Sequence, residues 1–318
     1  MAKPIKIAIT TGDPDGIGPE VTVNALCALG KLKNHQFIVF CSAGAALPGV
    51  SKLKKKFKVV ECHSIAEALW NSNSAQILVV PSSQSAAHWV ELAANLCLDG
   101  QINGMVTAPL SKTLILKAGF KDIGHTEILA RVSKRTNLFM GFVGSKFSVV
   151  LATGHIPLAQ IGNTLTPKLL KDAVQAAIQL RSALTKPNQT RPIALVGLNP
   201  HAGESGLLGN QESWFKSLVA SSSAIPLVGP LVPDAAFLPD NWKKYSVFVC
   251  PYHDQGLIPF KLVHGFKEGV HITLGLPFVR TSVDHGTAKD LVGKKKSQHG
   301  SMLHAIKVAI QLIKEQSQ

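Results

Sequence analysis

The chain has 318 residues, 46% of them hydrophobic and only 16% charged, with 26 Gly and 18 Pro. This composition excludes a disordered chain, a collagen-like repeat and a low-complexity protein, and no run of 18 apolar residues offers a membrane span. Lys and Arg number 33 against 19 Asp and Glu, a net charge of +14, which fits either a basic enzyme with anionic substrates or a nucleic-acid binder.

From the N-terminus, apolar β-branched runs at 5–10, 37–41, 77–80, 104–107, 147–152, 193–198 and 247–250 read as strands buried on both faces. The stretch 1–10 is interrupted by Lys and leads into the first run without a signal-peptide pattern, so a cytoplasmic location is expected. Helical patterns lie between the runs. The segment 83–98 is one. Another is 166–184, with Thr166 as N-cap, Pro167 in the first turn, and Leu170, Ala173, Val174, Ala177, Arg181 and Leu184 at helical spacing. A third closes the chain, with Met302, Ile306, Ala309, Ile310 and Ile313 on one face. The polar stretch 186–191 reads as a connection. Strand–helix alternation predicts an α/β fold with a parallel or mixed sheet.

Five scattered cysteines, Cys27, Cys41, Cys62, Cys97 and Cys250, form no C-x-x-C pair and read as small hydrophobes. The basic runs, Lys31 with Lys33, Lys52 to Lys58, and Lys294 to Lys296, are not interleaved with aromatics, so a single-strand stacking platform is not indicated.

Four Gly- and Pro-punctuated segments follow strands, where ligands bind in α/β sheets. The first, 10–20 (TTGDPDGIGPE), precedes a helix and can hold an anion or serve as a tight turn; it is not G-x-G-x-x-G. The second is 104–112 (GMVTAPLSK), followed by GHTE at 124–127. There Ser111 and Thr126 are candidate helix caps, and His125 beside Thr126 can grip a phosphoryl or carboxylate oxygen. The third comprises His155 (LATGHIPL), His201 (GLNPHAGE) and His253 (VCPYHDQG), all after strands. Three imidazoles with an open position make a catalytic divalent-metal site, zinc first, although a single His is more often a surface or core residue. The fourth runs from GLIPFK at 256–261 through GVHITLGLPFVRTS at 269–282 to VDHGTA at 283–288. Lys261 and Arg280 are isolated cations in apolar surroundings, and His285, Gly286 and Thr287 offer polar edges to an adenine ring.

Taken together and in this order, GDPxGIGPE, VTAPLSK, GHTE, GLNPHAGE, PYHDQGLIPFK and TLGLPFxRTSVDHGTA resemble the 4-hydroxythreonine-4-phosphate dehydrogenase family of pyridoxal phosphate biosynthesis, from residue 11 to about 294. That family is related to the isocitrate and isopropylmalate dehydrogenases. The resemblance implies a two-domain fold of that kind with a cleft between the domains. The expected division is 1–115 plus 265–318 for the cofactor side, and 116–264 for the metal and dimer side. It implies oxidation of 4-phosphooxy-L-threonine by NAD or NADP with a divalent metal, zinc first and magnesium or cobalt as alternatives. The metal ligands would be His155, His201 and His253, and the substrate contacts His125, Thr126, Lys261, His271 and Arg280. The cofactor would meet His285, Gly286 and Thr287. Lys112, Asp234 and Asp254 are candidate proton carriers or orienting groups. A homodimer whose active sites draw on both subunits is implied as well.

The sequence departs from the family's pattern at Asp15, usually Ala, and at His271, usually Asn. Ser205 and Leu207 also stand where Gly and His are common. These departures leave room for a related dehydrogenase of threonate or erythronate 4-phosphate. The rival from another class is a non-catalytic anion- or nucleic-acid-binding protein.

Overall fold

The computed structural model describes residues 4–30, 33–44, 47–70, 76–222, 226–265, 268–294 and 296–316; Lys31 and Lys295 of the basic runs lie outside them. In chain order the strands are β1 (Ile5–Thr10), β2 (His35–Ser42), β3 (Val59–Glu61), β4 (Ile77–Ser82), β5 (Gly104–Thr107), β6 (Phe139–Val143), β7 (Ser148–Leu151), β8 (Ile193–Val196), β9 (Leu227–Leu231), β10 (Val247–Cys250), β11 (Val270–Leu274) and β12 (Val279–Val283). The chain forms two compact units, Met1–Leu138 with Leu276–Gln318, and Phe139–Gly275. Residues 116–138, with His125 and Thr126, group with the first unit. Residues 265–275, with His271, group with the second.

The first unit carries strands in the order β3-β4-β2-β1-β5-β12, all parallel. Parallel strands need crossovers, and the helices that supply them cover the sheet, so the strand residues are apolar on both faces. Ile38, Leu78 and Met105 are fully buried in one cluster with Trp89 of the helix Ala86–Leu98. Each such side chain contributes about 1.5–3 kcal/mol of burial free energy. Gly104 opens β5 because a Cβ there would stand 3.0 Å from Ile313 Cδ1 of the closing helix Gly300–Gln316 and 3.0 Å from Val279 O.

The second unit runs β11-β6-β7-β10-β8-β9. The pairs of β6 with β11 and with β7 are antiparallel, and the rest are parallel. Its core holds Phe142, Phe147, Phe248 and Phe260. His264 completes that cluster as a neutral ring. It is 6% exposed, its Nδ1 meets Phe260 O at 3.0 Å, and Lys146 N donates to its Nε2 at 3.1 Å. The helix Pro167–Ser182 starts as expected, with Thr166 Oγ1 accepting from Leu169 N at 3.1 Å. It ends short of Leu184. The stretch 186–191, expected to be a connection, forms the short helix Lys186–Thr190. The cysteines are free, and all but Cys27 are buried.

Of the lysines from Lys52 to Lys58, all but Lys58 lie in the helix Val50–Lys56, whose last turn carries Lys54, Lys55 and Lys56. Cations favour that end of a helix dipole, and Lys54 also pairs with Glu61 at 2.9 Å. No helix among the described residues is long and apolar enough to cross a membrane.

Candidate active site

In the first unit, register sets Thr10 beside Thr107 and Thr107 beside Ser282, so β1, β5 and β12 end in one row. The carboxyl ends of parallel strands are where ligands meet such sheets, and three motif segments knot together there. Asp13, 1% exposed, donates its N–H to Pro109 O at 3.0 Å, and its Oδ1 accepts from Ser111 N at 3.0 Å. Ile17 N donates to Thr287 O at 3.0 Å. Lys289 Nζ lies 2.7 Å from Asp15 Oδ2 and 3.6 Å from Asp13 Oδ2. Two glycines allow this packing. A Cβ at Gly12 (φ +70°) would sit 2.1 Å from Pro109 O, and one at Gly18 would sit 2.0 Å from Thr11 O. The segment 10–20 is therefore a tight strand-to-helix turn, tied to the loops after β5 and β12.

Ser111 caps the helix Lys112–Lys117 as expected, its Oγ accepting from Leu114 N at 3.4 Å. Thr126 does not cap. The helix His125–Ser133 begins two residues earlier than such a cap would set, with extended Gly124 as N-cap. Both His125 and Thr126 thus sit in its first turn and are freed from a capping role. Burial, reinforced by the Arg280 guanidinium, pushes the His125 ring down to about 3, so the ring is neutral at physiological pH. Its Nε2 is enclosed and has no hydrogen-bond partner among the described residues. Arg280 is 1% exposed and donates from Nη2 to Thr107 Oγ1 at 2.6 Å. Burial pushes it down to about 9. In the 285–287 loop, His285 Nδ1 is 2.9 Å from Gly286 O. Lys112 is exposed at its helix start.

In the second unit, parallel pairing sets Leu151 beside Cys250. Thr153 N and Oγ1 both donate to Pro251 O, at 3.2 and 2.8 Å. These bonds hold together the loops carrying His155 and His253, whose ring centroids are 5.0 Å apart. Two imidazoles on one tetrahedral ion, at nitrogen–metal distances of about 2.0–2.1 Å, place their centroids about 5 Å apart. His253 Nδ1 lies 2.6 Å from Asp254 Oδ1, a carboxylate–histidine pairing of the kind that fixes a ligand's tautomer. Among the described residues no group of three or more His, Cys, Asp and Glu is placed to hold a metal ion. His201 is exposed, on the segment Pro200–Gly206. Gln255, two residues after His253, donates from Nε2 to Gly197 O at 2.7 Å and ties that helix to the loop of His201.

Lys261, half-buried, lies eight residues beyond His253 on the helix His253–His264, about 12 Å along its axis. His271 is half-buried in β11 and stacks on Phe142, its register partner, with centroids 5.0 Å apart and planes at 26°. Asp234 is exposed in the first turn of the short helix Pro233–Ala236. Sequence reading missed Asp13, Thr107, Gln255 and Lys289. The signal for Asp13 was available, as an acid between Gly12 and Pro14 after a strand. Thr107 and Gln255 are ordinary residues until the fold gives them partners.

Residues 22–309 match the family model described as pyridoxal phosphate biosynthetic protein PdxA. The chain is 38% identical to a 4-hydroxythreonine-4-phosphate dehydrogenase of Aquifex aeolicus, over 97% of this chain and 98% of that one. It is 34% identical to a D-threonate 4-phosphate dehydrogenase of Salmonella typhimurium, over 96% and 98%. The crystal structure of 4-hydroxythreonine-4-phosphate dehydrogenase from Klebsiella pneumoniae superposes with a TM-score of 0.76 at 31% identity, covering 98% of this chain and all of that one. At 12% identity, isocitrate dehydrogenase from Methylococcus capsulatus shares the fold, with a TM-score of 0.52. The α/β architecture expected from the motifs is thus the one this chain adopts, and the chain belongs to the pyridoxal phosphate biosynthetic protein PdxA family.

Proposed function

We propose that this protein is a metal-dependent 4-hydroxythreonine-4-phosphate dehydrogenase. It oxidises the secondary alcohol of 4-phosphooxy-L-threonine, passing hydride to NAD+ or NADP+ and releasing a proton. The product, 2-amino-3-oxo-4-phosphooxybutanoate, loses CO2 to give 3-amino-2-oxopropyl phosphate. The likeness to the Aquifex enzyme along 97% of the chain carries the reading; the spacing of His155 and His253 supports its metal requirement.

The ion would be held by His155, His201 and His253, with zinc the first candidate and magnesium or cobalt the alternatives. When bound, a divalent ion supplies a Lewis acid that lowers the pKa of the substrate alcohol. Asp254 orients His253 through Nδ1 and leaves Nε2 to ligate. Lys112 and Asp234 remain the candidates for carrying the alcohol proton. His125, held neutral, exchanges a hydrogen bond with a substrate oxygen without adding charge. Thr126 binds beside it, and Arg280, Lys261 and His271 supply contacts to the substrate's anionic groups. His285, Gly286 and Thr287 meet the cofactor.

The active form is a cytoplasmic homodimer with shared sites. Ile258 and Leu262, one turn apart on the helix of His253, are 67% and 85% exposed, an apolar stripe suited to a second copy. In that arrangement His201 comes from the other subunit.

A second reading is a dehydrogenase of a four-carbon sugar-acid 4-phosphate such as threonate or erythronate. The Salmonella relative and His271, in place of the usual Asn, favour it. The test is NADH or NADPH formation with each phosphorylated acid. Faster turnover of 4-phosphooxy-L-threonine supports the first reading, and turnover only of threonate or erythronate 4-phosphate replaces it with the second.

A further inference from the structure

The segment carrying His201 has a backbone that its residues do not choose for themselves. His201, Ala202, Gly203, Glu204 and Ser205 have φ of 52°, 52°, 78°, 41° and 58°. Four of the five are not glycine, and L side chains rarely adopt such angles. Runs of this kind persist only where the surroundings over-determine them.

The surroundings here centre on Glu212, in the first turn of the helix Gln211–Ser221. It is 3% exposed and has no ion pair among the described residues. Its charge is met by N–H donors instead. Leu198 N and Asn199 N donate to Oε1 at 2.9 and 2.8 Å, and Asn199 Nδ2 donates to Oε2 at 3.0 Å. Asn199 Nδ2 also reaches Gln211 Oε1 at 3.0 Å. Gly203 lies against the same carboxylate, where a Cβ would come within 2.6 Å of Oε2. One buried carboxylate therefore grips the chain two and three residues before His201 and packs against it two residues after. Charge-assisted bonds to backbone N–H groups are the stronger kind, and a buried carboxylate cannot exchange them for water.

We propose that Glu212 is the positioning residue for His201: its buried carboxylate holds the left-handed loop that presents this imidazole for metal binding. The proposal rests on the reading of His201 as a ligand. It holds whether the other two rings belong to the same subunit or to a second one.

The test is Co2+ binding to the full-length, metal-stripped protein, followed by visible absorbance and equilibrium dialysis, with circular dichroism to check the fold. Wild type, His201→Ala, Glu212→Gln and Asn199→Ala are compared. Glu212→Gln is expected to bind Co2+ roughly 10- to 100-fold more weakly. At saturation it should reach the wild-type spectrum, because the three ligands are intact. His201→Ala should bind weakly and give a different spectrum. Wild-type affinity in Glu212→Gln, with weakened binding in His201→Ala, overturns the proposal and leaves the ligand reading standing. Wild-type binding by His201→Ala overturns both. If Glu212→Gln does not fold, Asn199→Ala decides, since it removes one donor and keeps the carboxylate: a loss of threefold or more supports the proposal, and unchanged affinity overturns it.

Discussion

His125 shows how environment sets the chemistry of a single side chain. A free imidazole titrates near 6.5, whereas here burial and the Arg280 guanidinium push it down to about 3. His264 is lowered as well, chiefly by burial. In both cases the unfolded chain binds more protons than the folded one as pH falls below 6.5, so stability drops with pH through that window. For His125 the loss continues towards pH 3. Nitrogen chemical shifts should show the His125 ring still neutral at pH 5; a cationic ring there would contradict the enclosed site. Denaturant midpoints should fall between pH 7.5 and 5, and His264→Gln should flatten that fall. His264 belongs to the aromatic core, and its two hydrogen bonds give it a structural role that no sequence pattern revealed.

Among the elements, the turns after strands carry the candidate site residues and are held by backbone contacts. Gly18→Ala would drive a Cβ to 2.0 Å from Thr11 O, a backbone atom that cannot swing away. We expect a loss of about 2 kcal/mol or more of stability, or no folded protein. Gly30→Ala, with φ +74°, ψ −175° and open space around it, meets backbone strain but no clash and should cost about 1–3 kcal/mol. Thr166→Ala removes the N-cap bond to Leu169 N and should cost about 1 kcal/mol. Thermal or denaturant melts rank the three, and equal effects for the two glycine variants would contradict the packing of the first turn.

The strands β1, β5, β7, β8 and β10 are continuous apolar runs and could be read directly. The strand β12 could not, because Arg280, Thr281 and Ser282 place polar groups inside it, and each needs a partner such as Thr107 or Ala305 O to be buried. The strand β9 is interrupted by Gly229 and Pro230 and shifts register against β8. The helix Lys186–Thr190 has low intrinsic propensity and reads as a loop. Of the candidate site, the histidines were visible by their loops, whereas Glu212 was one acid among several until its donors were known.

For the whole molecule, no three His, Cys, Asp or Glu side chains among the described residues gather to hold a metal ion, so the proposed histidine site calls for a second copy. A two-fold dimer with shared sites makes a sharp forecast. His155→Ala and His201→Ala proteins should each be inactive, yet mixing them after dissociation should restore activity. Random reassociation makes half the dimers mixed, each with one intact site of two, so about a quarter of wild-type activity should return. No recovery would mean that the site is built within one subunit. The net charge of +14 suits capture of phosphorylated acids, and substrate KM should rise with ionic strength as that field is screened.

Reduction of the nicotinamide cofactor, followed at 340 nm, by the purified protein with 4-phosphooxy-L-threonine decides whether the chain is this dehydrogenase. Turnover is expected with added Zn2+, Co2+ or Mg2+, with loss after chelation, recovery when metal is returned, and CO2 released in step with the reduced cofactor. Metal-replete protein that reduces neither NAD+ nor NADP+ with this substrate or with threonate or erythronate 4-phosphate would contradict the proposed function.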